Sequence, residues 1–269
     1  MTATINNLYI TLIDKNFIPN INAASLLDQF QVTKLLSLSL KDFDISLTNS
    51  SLIVLLGLSL FIFNYNGLIT KELKVSKSQA LAENYYMFIY NLVRGNIGSK
   101  GVFVFAFIFS LFSFILSLNL LGIIPYVFAV TSHISVTFTL SLSIFLGVTI
   151  LGFLRHRLNF LSLFFPENSP MILAPLLVFI ELLSYTARAI SLAIRLSANI
   201  SSGHLLLSIL AGFAFTMLTS GCPALMLVSS LDIVVVFLFT ILELAIAVIQ
   251  SFVFTLLTCI YISDAINLH

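Results

Sequence analysis

Glu181, Arg188 and Arg195 follow one another at intervals of seven residues, inside an apolar run from Met171 to about Leu218 that holds no other Asp, Glu, Lys or Arg. Seven residues are close to two helical turns, so all three groups fall on one stripe. Ser184, Ser191, Asn199 and Ser202 lie within about 40° of that stripe at 100° per residue. A charge in the middle of a membrane helix costs at least about 2.5–3.5 kcal/mol. A carboxylate or an imidazole escapes that cost by neutralising; a guanidinium keeps its proton and cannot. Chemically, a fixed cation at membrane depth attracts anions and stops protons, which hop among Glu, Asp, His and water but not through guanidinium.

A second set lies downstream. Asp232, Glu243 and Gln250 share one helical stripe in another apolar run, Ala224 to Ser263. Gly221, Cys222 and Pro223 break the chain between the runs. Folding back at Pro223 sets Glu181 opposite Asp264, Arg195 opposite Gln250, Asn199 opposite Ala247 and His204 opposite Glu243. The pairs sort by depth, with Glu181 and Asp264 towards one face, Arg195 and Gln250 in the middle, and His204 and Glu243 towards the other. On an ideal helix His204 is about 180° around the axis from Arg195. This predicts two titratable clusters on either side of a permanent cation, that is, two half-channels that do not connect.

The elements that must hold these groups are membrane helices. The chain has 269 residues, 59% hydrophobic and 9% charged, with mean hydropathy +1.11; soluble domains carry roughly 25% charged residues. The fold class is therefore an all-α integral membrane protein. Residues 1–50 are a mixed segment on the outer side, polar and Asn-rich over 1–24, with a short surface helix expected at SLLDQF (25–30). Residues 51–70 make the first crossing. Residues 71–100 begin with Lys71, Lys74 and Lys77 and continue as an amphipathic helix along the surface, with Leu81, Tyr85, Phe88, Ile89 and Leu92 on one side. A transmembrane hairpin spans 101–157, a loop 158–170 carries Glu167, and 171–269 forms a long antiparallel helical hairpin. Its two helices exceed a bilayer core of about 30 Å, so they must be steeply tilted, bent or both. That makes about five membrane helices plus one surface helix.

Seven Lys and Arg fall on the side holding 71–100 and 155–157, and none in the 125–133 and 219–223 loops of the opposite side. The basic side is the matrix or cytoplasm, which puts the N-terminus outside and the C-terminus inside. Asn119, deep in the second crossing, is either a helix–helix hydrogen-bonding group or a channel lining group. Cys222 and Cys259 read as small buried hydrophobes, and His133 and His156, at loop ends, as surface groups. A secondary transporter would carry an internal repeat with matching broken helices, and neither is visible. No Lys follows Lys100 to serve a retinal pump, and the four histidines lie at unrelated depths for haem. A structural scaffold would leave Arg195 without a purpose.

RAISLAIRLSANISSGH (188–204) resembles subunit a of the F-type ATP synthases, in their mitochondrial form. NIGSKG (96–101), SLNLLGIIPY (117–126), TSH (131–133), ELAIAVIQSFVF (243–254) and YISDAINLH (261–269) extend the resemblance over most of the chain, and SLLDQF is similar to the start of many mature members. The resemblance implies a non-catalytic proton-channel subunit. The family's essential arginine falls on Arg195, facing the carboxylate of each c-ring subunit, and its second arginine on Arg188. Outer-side proton-path groups fall on His204, Glu243, Asn199 and Gln250; inner-side groups fall on Glu181, Asp264 and Arg188. Implied partners are the c-ring, the peripheral stalk and other Fo subunits, and membrane lipid, with no nucleic acid, cofactor or metal. The implied location is the mitochondrial inner membrane, favoured by His204 where bacterial relatives usually carry a carboxylate. The sequence departs from the family pattern at Glu167-Asn168, where a small residue and Gly often precede the Pro.

Overall fold

The computed structural model describes residues 30–36, 39–40, 43–44, 46–69, 77–124, 127–157, 160, 174–220 and 223–267. The expected surface helix at 25–30 (but for Phe30), Lys71 and Lys74, the loop with Glu167, the Gly221-Cys222 break and His269 lie outside these residues. Four short strands come first: β1 (Lys34–Leu36), β2 (Ser39–Leu40), β3 (Phe43–Asp44) and β4 (Leu47–Thr48). They form two antiparallel ladders, β1 with β4 and β2 with β3, which the polar, mixed sequence does not announce. Thr48 then caps α1 (Asn49–Ile69). The Thr48 hydroxyl accepts from the Ser51 amide at 3.3 Å while the Ser51 hydroxyl accepts from the Thr48 amide at 3.0 Å. This reciprocal pair satisfies amides that the first helical turn leaves free.

The remaining helices are α2 (Lys77–Ile97), α3 (Phe105–Ile123), α4 (Ile134–His156), α5 (Ala174–Thr219) and α6 (Pro223–Ile266), with 3-10 turns at Ser99–Val104 and Val130–Ser132. Four spans are long and apolar enough to cross a membrane: Gly101–Ile123, Ile134–His156, Pro175–Thr219 and Met226–Ile266. The shorter apolar stretch Asn49–Ile62 opens α1, which has 21 residues in all. The 46 residues of α5 and the 44 of α6 extend about 69 and 66 Å at about 1.5 Å per residue, twice a bilayer core.

By contacts the described residues fall into two units. One takes Phe30, Gln31 and Ser202–Glu243; the other takes Val32–Ser201 and the chain from Leu244. The core lies in the second unit. Ile89, Val93 and Ile97 of α2, one turn apart, pack with Ile108, Phe112 and Ile115 of α3, Ile144 and Val148 of α4, Leu192 and Leu196 of α5, and Phe254 and Ile262 of α6. Helix α2 is amphipathic as its sequence predicts, but its buried face is narrower: Leu81 and Phe88 stay exposed. The Tyr85 hydroxyl lies 2.7 Å from Ser113 Oγ of α3, and burial pushes its pKa up to about 12 against the lowering effect of that hydrogen bond. Gly98 ends the helix at φ 78°, a conformation open to glycine.

Candidate functional site

Two short bonds set α5 within the second unit. Buried Ser141 of α4 donates to the Ala189 carbonyl at 2.6 Å, and buried Ser197 donates to the Ser132 carbonyl at 2.6 Å. Each bond draws a hydroxyl from one element onto a backbone carbonyl of another, so α5 is pinned on both sides of Arg195 along its axis. A serine inside a helix usually bonds its own carbonyl three or four residues back; here the smaller residues let neighbouring backbones approach instead. The residues that do this were not singled out by spacing, and nothing in the sequence alone marks them.

Arg195 is exposed. Its Nη2 lies 3.5 Å from Ser191 Oγ, one turn earlier. It lines an open groove of about 420 Å³ together with Ala187, Ile190, Ser191 and Ile194. Among the described residues no carboxylate lies within 4.0 Å of Arg195, whereas Arg188 has two. Arg188 Nη2 is 3.7 Å from Glu181 Oε1 and its Nη1 is 3.9 Å from Asp264 Oδ2. Glu181 and Asp264, expected to face each other, are each paired with Arg188. All three side chains are about 40% exposed, so water screens the pairing.

One turn beyond Arg195, Asn199 Nδ2 donates to Gln250 Oε1 at 3.1 Å. The simple fold-back set Arg195 against Gln250; the helices settle with Asn199 there instead. Ala247, expected opposite Asn199, gives its carbonyl to Asn119 Nδ2 of α3 at 3.3 Å. Asn119 is fully buried and acts as a helix–helix bond. Its Oδ1 and Gln250 Nε2 make no hydrogen bond among the described residues. In contrast, the buried Ser251, Thr255 and Thr258 of α6 all satisfy themselves on their own helix.

In the first unit His204 Nε2 is 3.9 Å from Glu243 Oε1, with side chains only 14% and 5% exposed. Neither carboxylate oxygen of Glu243 is hydrogen-bonded among the described residues. The carboxylate lies over Gly203: a Cβ there would stand 2.7 Å from Oε1 and 3.1 Å from Cδ. Phe30 meets the His204 ring edge-on, with centroids 6.4 Å apart. Gly203 is visible in the sequence only as the neighbour of His204; the contact with Phe30, far away in the chain, leaves no signal in either segment.

Two histidines expected at the surface are half-buried. His133 stacks on Phe128 with centroids 5.0 Å apart, and its Nε2 is buried. His156 bonds the Ile266 carbonyl at 3.1 Å. Cys259 is buried and free, as its apolar surroundings suggest. No cluster of three or more His, Cys, Asp or Glu suited to a metal occurs among the described residues.

The family described as ATP synthase A chain matches residues 48–263. The chain belongs to that family. Relatives agree over nearly their whole length. ATP synthase subunit a of Rhodospirillum rubrum is 42% identical over 243 residues, covering 90% of this chain and 98% of the relative. ATP synthase subunit a of Chondrus crispus is 43% identical over 244 residues, covering 90% and 96%. The family match takes in every helix from α1 to all but the last residues of α6, and with it Arg195, the Asn199–Gln250 and His204–Glu243 contacts, and Glu181 and Arg188 of the third set; Asp264 lies one residue past its end.

Proposed function

We propose that this chain is the non-catalytic, proton-translocating stator subunit of the F-type ATP synthase membrane sector. It lies in the mitochondrial inner membrane with the N-terminus on the outer side and the C-terminus in the matrix. Its partners are the c-ring, the peripheral stalk and the other Fo subunits. The observation that carries this reading is Arg195, a cation beside an apolar groove, with no carboxylate of the described chain in reach. A permanent cation in lipid demands an anion. An acid on each subunit of a rotating partner supplies one repeatedly.

The charges then dictate the cycle. A ring carboxylate in lipid is stable as the neutral acid. Close to Arg195 it is stable as the anion, so it must give up its proton on arrival and take another before leaving. Protons are taken from the outer side through His204 and Glu243, with Asn199 and Gln250 orienting water, and released past Asp264, Glu181 and Arg188. Arg195 keeps the two paths apart. Each proton crossing brings about 2.3 kcal/mol per 100 mV of membrane potential, which drives rotation and, in the catalytic sector, ATP synthesis.

The test is Arg195→Ala in the assembled complex in vesicles. Proton-driven ATP synthesis is expected to be abolished while the complex still assembles. Normal synthesis would refute the reading. Arg195→Lys is expected to substitute poorly, since an ammonium can deprotonate in an apolar site.

A further inference from the structure

The end of α6 is held from outside its own helix. The last turn of any α-helix leaves carbonyls without amide partners. In α6 the Ser263 carbonyl accepts from the Asn267 amide at 2.8 Å, and the Ile266 carbonyl is bonded by His156 Nε2 at 3.1 Å, 110 residues earlier in the chain. A carbonyl only accepts, so Nε2 carries the hydrogen. His156 closes α4, after Arg155 and before Arg157. Arg157 has φ 52°, the one positive φ at a non-glycine among the described residues, so the chain turns sharply off the helix at a strained residue. Phe160 then returns onto α4: it is buried, meets the Phe153 ring at a tilt of 54° with centroids 4.9 Å apart, and lies so close over Gly152 that no Cβ fits there. Both ends of the His156 bond are thus fixed, by the turn on one side and by the buried Ala265 and Ile266 on the other.

The same turn of α6 carries Asp264, two residues before the bonded carbonyl, with its Oδ2 3.9 Å from Arg188 Nη1. We propose that His156 is a positioning residue for the proton-release side: by capping α6 it keeps the turn bearing Asp264 helical and Asp264 on Arg188. The proposal rests on the functional reading above, which gives Asp264 its task. It needs no change in the charge of His156, only an N–H donor at that reach. Without the donor the last turn frays, as uncapped helix ends do, and the carboxylate loses its place beside the guanidinium.

The experiment uses the intact complex in vesicles, with His156→Leu, which removes the donor, and His156→Gln, which returns an N–H at similar reach. Hydrogen exchange of the amides at 260–267 reads the clamp. ATP synthesis at constant driving force, measured against inner-side pH, reads the proton exit. His156→Leu is expected to speed exchange about tenfold, lower synthesis at least about threefold and shift the pH profile, with His156→Gln restoring all three. A residue needed only for assembly would change the amount of complex but not the pH profile of what assembles. Unchanged exchange in His156→Leu, faster exchange with a wild-type rate and profile, or no rescue by Gln would each overturn the proposal. If the Leu variant fails to assemble, His156→Asn, one methylene too short, takes its place, and equal behaviour of Asn and Gln overturns it. Full synthesis by Arg195→Ala alongside an intact clamp would instead sink the functional reading alone.

Discussion

Gly203→Ala is the smallest change that disturbs the buried His204–Glu243 pair. The added Cβ would stand 2.7 Å from Glu243 Oε1, 3.1 Å from Cδ and 3.4 Å from Cγ. Ordinary contact begins near 3.4 Å, so the carboxylate must retreat by about 0.7 Å at least. Gly203 has no positive φ, so alanine suits the backbone and gains about 1 kcal/mol of helix propensity. That gain offsets much of the roughly 1–3 kcal/mol of overpacking, and the complex is expected to assemble normally. The loss falls on function. His204 Nε2 and Glu243 Oε1 are already 3.9 Å apart, and a misplacement on the order of 1 Å costs up to about 100-fold in proton-transfer geometry. We expect proton-driven ATP synthesis at saturating substrates to fall about tenfold. Glu243→Asp, which withdraws the carboxylate by one methylene, should itself be impaired, yet the double variant should exceed Gly203→Ala. The assay is a double-mutant cycle on the rate of synthesis in vesicles. A wild-type rate for Gly203→Ala, or strict additivity in the cycle, would refute the argument that Gly203 exists to make room for that carboxylate.

Three further outcomes follow from the same geometry. His204→Ala should slow proton uptake from the outer side more than release to the inner side, measured as synthesis against hydrolysis-driven pumping; equal loss in both directions would contradict its placement. Ser197→Ala removes the 2.6 Å bond to the Ser132 carbonyl, worth about 0.5–1.5 kcal/mol; the thermal midpoint of the complex should fall slightly, with a threefold or smaller loss of rate, and Ser197→Thr should recover it. Gly152→Ala forces a Cβ into the Phe160 ring; the expected cost is about 1–3 kcal/mol, read as a lower yield of assembled complex, and normal yield and stability would show that Phe160 can leave its seat.

Much of this protein was written into the order of its residues. The apolar runs, the heptad spacing of Glu181, Arg188 and Arg195, and the polar groups matched across Pro223 depend on helical period and on the cost of charge in lipid, both local and additive quantities. They were enough to foresee the helices, an antiparallel pairing of α5 with α6, and the contact of His204 with Glu243; Asp264, expected opposite Glu181, meets Arg188 instead. Register was another matter. A shift of one turn between long helices leaves the hydrophobic pattern unchanged, so only the packing could bring Asn199 rather than Arg195 to Gln250, and Asn119 to the Ala247 carbonyl. The same holds for His156 on the end of α6, Ser141 on the Ala189 carbonyl and Phe30 against His204. Backbone carbonyls are alike in every residue, and a sequence carries no mark of which one a distant side chain will find. That choice is made when helices close on one another and each buried donor must take whatever acceptor the packing puts in reach.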